Sequence, residues 1–433
     1  MNICVVGLGK IGLPLAVQMA GKGHRVLGAD IDIGTVTVVN AGEVPFPGEH
    51  DLDVQLRTVV DQGLLVATPD TTQAVAASEA VVVVVPLIVD DDARPDFRAL
   101  DAATSAIAAG LRPGTLVSYE TTLPVGTTRD RFVPALEAGS GLRCGEDLFV
   151  VFSPERVYSG RIFADLRRYP KLVGGVDDAS GKRGVAFYEA ILDFDDRPDL
   201  DRPNGVWDLG RAEASEFAKL AETTYRDVNI GLANEFARFA DRIGIDVAQV
   251  IAASNSQPFS HIHQPGIAVG GHCIPVYPRF YLSTDPDARL PAASRAVNDA
   301  MPSYGVDRLA RHVGGLNGRT VAVLGACYRG GVKETAFSGV FGVVEALEKH
   351  GAVPMVHDPL FSDDELRSFG FSPYRLGDPC DAAIVQADHA EYRALTPADV
   401  PGALAVLDGR RCVDPATWSS AGVPLLVIGR PTT

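Results

Sequence analysis

The run Val5-Val6-Gly7-Leu8-Gly9-Lys10-Ile11-Gly12 restricts the folds open to this chain more than any other stretch. It sets G-x-G-x-x-G directly after an apolar segment at residues 3–6 and before a helical pattern, which is how a dinucleotide-binding βαβ unit opens. The glycines permit a tight turn, close approach of backbone to a pyrophosphate, and close helix–sheet packing. The helix N-terminus offers such an anion free N–H groups and a partial positive charge. Asp30 ends the next apolar run, at the spacing of an acidic residue that hydrogen-bonds the adenine ribose hydroxyls. A carboxylate there repels a 2′-phosphate, so the expected cofactor is NAD rather than NADP.

Further apolar runs at 25–29, 64–67, 81–85, 116–119 and 148–152 are continuous rather than alternating. That pattern suits strands buried on both faces of a parallel sheet, with helices between them. An acidic connection at 193–205 holds Pro198 and Pro203. A helical pattern with few breakers then runs over about 212–243, roughly 45 Å of helix. That length predicts a spine between domains or a homodimer contact. The Gly- and Pro-rich loop 257–278 is too long for a simple connector. After Arg319 the alternation restarts, with strands at 320–324 and 353–357 and a helix near 340–350. The expected fold class is α/β, with two doubly wound Rossmann-like domains joined by a long central helix. The expected segments are 1–205 for the cofactor, 206–305 for the helix and the 257–278 loop, and 306–433 for a second nucleotide-like domain.

Composition excludes some functions. A net charge of −16 argues against nucleic acid, whose phosphates demand a basic face, but not against a phosphorylated small molecule. The start lacks the features of a signal peptide, and no apolar run approaches the ~20 residues that span a bilayer. Six cysteines, at 4, 144, 273, 327, 380 and 412, show no CxxC spacing. Neither a metal site nor a disulfide framework is expected, and a cytoplasmic location is.

One cysteine is placed unusually, in Gly266-Ile267-Ala268-Val269-Gly270-Gly271-His272-Cys273-Ile274-Pro275. Glycines let backbone crowd a ligand, and a cysteine held there is a candidate nucleophile. Over nearly its whole length the chain resembles the UDP-glucose/GDP-mannose dehydrogenase family, nearest to its UDP-N-acetylhexosamine 6-dehydrogenases. The resemblance rests on the fingerprint, the Cys273 loop, Thr121-Thr122-Leu123-Pro124-Val125-Gly126-Thr127 and Ser153-Pro154-Glu155-Arg156. Ala218-Lys219-Leu220, Arg226-Asp227-Val228-Asn229-Ile230, Ala233-Asn234-Glu235 and Val321-Ala322-Val323-Leu324-Gly325 extend it.

The resemblance implies NAD-dependent oxidation of a UDP-sugar C6 alcohol to the acid in two hydride transfers, through a thiohemiacetal and a thioester on Cys273. It implies that Lys219 stabilises the oxyanion, Glu155 stands near the water and thioester, and Thr122 positions cofactor and water. The implied cofactor set is Gly7, Leu8, Gly9, Lys10, Ile11, Gly12, Asp30, Pro86 and Thr122. The implied substrate set is Glu155, Arg156, Lys219, Gly266, Gly270 and Arg329, the last standing where the family often has lysine. Without the resemblance, Lys219 reads as a solvated helix charge and Glu155 as a surface carboxylate.

Four positions depart from the family. Its acid/base aspartate is Tyr277, a neutral phenol near pH 7. Its oxyanion asparagine is Thr223, and two arginines directed at the substrate are Phe259 and Ala336. Both Thr223 and Tyr277 stay in the expected catalytic set. Two alternatives follow. One is a divergent relative that takes an unusual nucleoside or sugar, or stops at the aldehyde. The other is a non-catalytic binder of NAD or a sugar nucleotide, against which Cys273, Lys219 and Glu155 all speak.

Overall fold

The computed structural model describes residues 1–90, 92–158 and 160–431. The first sheet comprises β1 (Asn2–Val6), β2 (Arg25–Ala29), β3 (Leu65–Thr68), β4 (Ala80–Val83), β5 (Thr115–Tyr119), β6 (Leu148–Phe152), β7 (Lys171–Gly175) and β8 (Val206–Arg211). Their order is β8-β7-β6-β5-β4-β1-β2-β3. All pairings are parallel except β6 with β7. The chain leaves β1 toward β2 and β3, then returns to β4 on β1's other side. That reversal opens a crevice at the carboxyl edge, where α/β sheets bind ligands. The expected strands appear with small boundary shifts. β7 and β8 are additions that the apolar pattern did not announce.

Register places the site. Val6 pairs with Ala29 and Val83, Val83 with Tyr119, and Tyr119 with Phe152. Gly7, Asp30, Val84, Glu120 and Ser153 therefore all follow strand ends on one edge. Helix α1 (Gly12–Gly21) starts at that edge, and α2 (Asp178–Ile191) covers β6 and β7. Leu13, Leu15, Val17 and Met19 of α1 pack with Ile3, Val5 and Val82 into a dry core.

Helix α3 runs over Ala212–Ile243, as the pattern with few breakers predicts. The chain divides into two compact units, Met1–Glu222 with Arg279–Asp285, and Thr223–Pro278 with the residues from Pro286 onward. The loop 257–278 ends earlier than expected, because Tyr277 and Pro278 already open a helix, α4 (Tyr277–Thr284). The second sheet contains β9 (Thr320–Leu324), β10 (Val353–His357), β11 (Ala382–Val385), β12 (Val406–Asp408) and β13 (Leu425–Val427), all parallel, in the order β10-β9-β11-β12-β13. Leu324, His357, Val385 and Asp408 are in register, so Gly325, Asp358, Gln386 and Gly409 again share a carboxyl edge. No helix among the described residues is long and apolar enough to cross a membrane.

Candidate functional site

The fingerprint turn is built by exclusion of side chains. A Cβ on Gly12 would stand 1.8 Å from the Gly7 carbonyl oxygen, so α1 meets the turn only as glycine. A Cβ on Gly9 would meet nothing within 4 Å, which leaves open space beside the turn for a pyrophosphate. Asp30 braces the turn: one carboxylate oxygen accepts the Leu8 N–H at 2.7 Å and the other the Asp32 N–H at 2.9 Å. Each oxygen keeps a lone pair for a ribose hydroxyl. Leu8 contributes backbone only, because its side chain is buried against Gly28. Lys10 is exposed, Ile11 half-buried and Pro86 exposed. The Thr121 hydroxyl donates to the Val85 carbonyl at 2.7 Å, which ties the Pro86 segment to that of Thr122, itself buried. These residues fit an NAD-shaped ligand along one edge.

Farther along the same edge lies a buried ionic group. Glu155 is not the surface carboxylate its sequence position alone suggests. The Lys171 Nζ stands 3.0 Å from it and 2.7 Å from Glu120. The Tyr188 hydroxyl donates to Glu120 at 2.6 Å. Burial opposes the charged form of Glu155, yet the Lys171 ammonium and the Arg156 amide, at 2.7 Å, hold its carboxyl below the usual range. Arg156 itself pairs with Glu222 at 2.9 Å. Lys219 is also not a solvated charge: it is 8% exposed on α3. Thr223, one turn on along the same helix face, is buried as well.

In the second unit, the Cys273 loop lies against the segment after β9. A Cβ on Gly270 would stand 2.8 Å from the Phe337 carbonyl oxygen, and the Gly271 N–H donates to the Ala336 carbonyl at 3.2 Å. The Gly266 N–H donates to Asn234 at 3.0 Å, and that of Ile267 to Gly409 at 3.0 Å. Among the six cysteines only Cys273 is exposed. Its carbonyl accepts the Tyr277 N–H at 2.9 Å, so the thiol stands just ahead of α4, with Tyr277 half-buried beside it. His272 lies 3.6 Å from Glu334 and edge-on to the Phe337 ring. Phe337, next to Ala336, holds a left-handed φ of 49°. Phe259 is 92% exposed.

Two guanidinium groups stand at this second edge. The buried Nε of Arg329 has no hydrogen-bond partner among the described residues, an orphan donor that suits an anionic ligand. Arg410 donates from Nε to the Gln386 carbonyl at 2.6 Å, and its Nη1 faces Gly266. Glu120, Lys171, Tyr188 and Arg410 escaped the sequence reading. Their common signal is a polar residue at the carboxyl edge of a strand, just past the end of β5 and β12 for Glu120 and Arg410 and at the start of the antiparallel β7 for Lys171, or, for Tyr188, a phenol on a covering helix.

Cys327, Asp358 and His389 bring potential metal-ligand atoms within 4.8 Å of one another. Asp358 is committed elsewhere: Oδ2 accepts the Ala326 and Cys327 N–H groups at 2.8 and 2.9 Å and the His389 Nε2–H at 3.1 Å, and Oδ1 accepts the Leu360 N–H. This cluster braces the turn after β9 as Asp30 braces the turn after β1.

Comparison with known proteins agrees with this geometry. Residues 1–192 match the NAD-binding domain of the UDP-glucose/GDP-mannose dehydrogenase family, 213–300 its central domain and 322–415 its UDP-binding domain. The chain is 33% identical to the UDP-N-acetyl-D-mannosamine dehydrogenase of Pyrococcus horikoshii, over 95% of this chain and 96% of that one. It is 34% identical to an NDP-N-acetyl-D-galactosaminuronic acid dehydrogenase of Ralstonia solanacearum, over 80% of each. The solved structure of the P. horikoshii UDP-D-ManNAc dehydrogenase superposes with a TM-score of 0.86 at 30% identity, covering 99% of both chains.

Proposed function

Because the chain belongs to the UDP-glucose/GDP-mannose dehydrogenase family, and is thereby an NAD-dependent oxidoreductase of nucleotide sugars, we propose that it oxidises the C6 alcohol of a UDP-N-acetylhexosamine to the uronic acid, with Cys273 as nucleophile. The observation that carries this reading is the exposed Cys273 thiol in a glycine loop packed against residues 328–338. Two NAD molecules bound in turn would each accept one hydride. Gly7, Gly9, Gly12 and Asp30 hold the cofactor, and Pro86 and Thr122 line its edge. Arg329, Gly266, Gly270 and Arg156 hold the nucleotide sugar.

Lys219 keeps a positive charge at the oxygen that becomes an oxyanion, a role that gains strength where water is excluded. Cys273 adds to the C6 aldehyde and carries the acyl group as a thioester. Glu155, held ionised by Lys171, takes a proton from the attacking water. Thr122 orients that water. We assign the cofactor to 1–205, the long helix and the cysteine to 206–305, and the sugar nucleotide to 306–433.

We also assign this chain a homodimer in the cytoplasm. Tyr225, Leu232, Phe236, Phe239 and Ile243 recur at heptad-like spacing on α3 and are 36% to 56% exposed. An apolar stripe at that spacing on a long helix suits a second copy of the same helix.

Cys273→Ser tests the reaction. The variant should bind NAD and nucleotide sugar as the wild type does, yet form no acid; acid at the wild-type rate refutes the assignment. Tyr277 favours a second reading, arrest at the aldehyde, because it stands beside Cys273 where a carboxylate would activate water. In that case the wild type itself releases aldehyde and a single NADH.

A further inference from the structure

The first unit buries more titratable groups at its carboxyl edge than the proposed reaction uses. Glu120 is 1% exposed and Lys171 4%. The elements packed around Glu120 present Lys171 from β7, Glu155 from the segment after β6 and Tyr188 from α2. Arg156 turns its guanidinium away, to Glu222 at 2.9 Å and the Pro170 carbonyl at 3.3 Å. Ser118 donates to the Tyr188 oxygen at 2.7 Å and Ser153 to the Leu172 carbonyl at 2.7 Å. One ammonium therefore faces two carboxyl groups, and among the described residues the second carboxylate has no cation of its own. Two carboxyls around one cation in a dry site share a proton. Here Lys171 bridges the two carboxyl groups, and the Glu155 N–H donates to the Glu120 carbonyl at 3.3 Å.

We propose that Glu120 is the proton store of Glu155, a positioning residue that receives through Glu155 the proton taken from water during thioester hydrolysis. The inference rests on the reading of Glu155 as the base for that water. The water oxygen bonds to the acyl carbon, and the C–S bond breaks with its electron pair going to the Cys273 sulfur. One water proton passes to Glu155 and on to Glu120; the other stays on the product carboxyl. Burial pushes Glu120 up to about 7 against the pull of Lys171, so the store is empty above neutrality and full below it. The store gives a site that lacks the family aspartate at Tyr277 a second carboxylate for the same proton.

Glu120→Gln fixes the neutral form permanently. In the wild type, acid formation should fall by about tenfold per pH unit below neutrality. E120Q should lose this limb and form acid slowly, at a rate that does not change from about pH 6 to about pH 9, with the single-turnover NADH burst of the first oxidation unchanged. Tyr188→Phe removes a hydrogen bond that favours the ionised form of Glu120, and should move the acid limb to higher pH. An E120Q profile that keeps the wild-type limb overturns the proposal, as does a Y188F limb that stays in place. Should Glu155→Gln form acid at the wild-type rate, the base assignment fails by itself. The shared proton is read separately, by infrared titration of the unliganded protein. A carboxyl C=O band that vanishes through neutrality in the wild type and is missing in E120Q supports the store. Its absence from the wild type overturns it, whatever Glu155 does.

Discussion

Replacing Lys171 with methionine removes the cation of the buried cluster while keeping most of its volume. The ammonium is 4% exposed and stands 2.7 and 3.0 Å from the two carboxyl groups. Deleting one partner of such a group costs about 3–5 kcal/mol, because it strands buried charge. Protonation relieves that cost, so the defect depends on pH. Without the ammonium, both carboxyls titrate higher in the folded chain than in the unfolded chain, where the value is ~4.3. The folded state then binds more protons, so stability is retained below ~4.3 and lost as pH rises through the folded values. Glu120 is already pushed up to about 7 in the wild type, mainly by burial, so the variant's loss is complete only above neutrality. Scanning calorimetry should show little deficit at about pH 5. At about pH 8 the midpoint should fall by roughly 6–20 °C, at about 2–4 °C per kcal/mol. A deficit below about 2 °C at the higher pH, or one equal at both, would refute the account of the cluster.

Gly12→Ala forces a Cβ to within 1.8 Å of the Gly7 carbonyl. An overlap cost of about 1–3 kcal/mol should raise the Kd for NAD about five- to over a hundredfold by calorimetry, and an unchanged value would remove the turn from the NAD site. Phe239→Glu places a charge in the centre of the α3 stripe and should yield monomer by light scattering; a dimer of undiminished stability would place the interface elsewhere. Tyr277→Asp restores a carboxylate beside Cys273 and should speed acid formation at least about tenfold in pre-steady-state assays, whereas an equal or slower rate would show that Tyr277 does not limit hydrolysis.

Local chemistry was legible in the sequence and long-range convergence was not. The fingerprint, Asp30 and the full length of α3 could be read because each is a pattern within one segment. β7 escaped because Lys-Leu-Val-Gly-Gly is short and glycine-rich, and β8 because Val-Trp-Asp-Leu-Gly-Arg is a polar edge strand. Glu120, Glu155, Lys171 and Tyr188 are spread over 69 residues of sequence and meet only because β6 and β7 run antiparallel. That reversal brings the start of β7 to the carboxyl edge. The buried settings of Glu155 and Lys219 are likewise tertiary facts. The Cys273 loop could be located from its glycines, but its packing against residues 328–338 depends on strands far along the chain.

The central claim is a four-electron oxidation of a nucleotide sugar on Cys273. The most direct measurement is NADH released per substrate consumed, with the product mass, across UDP-N-acetylhexosamines, UDP-glucose and GDP-mannose. The account predicts two NADH and a uronic acid from a UDP-N-acetylhexosamine. One NADH with an aldehyde product, or no turnover on any of these despite NAD binding, would contradict it.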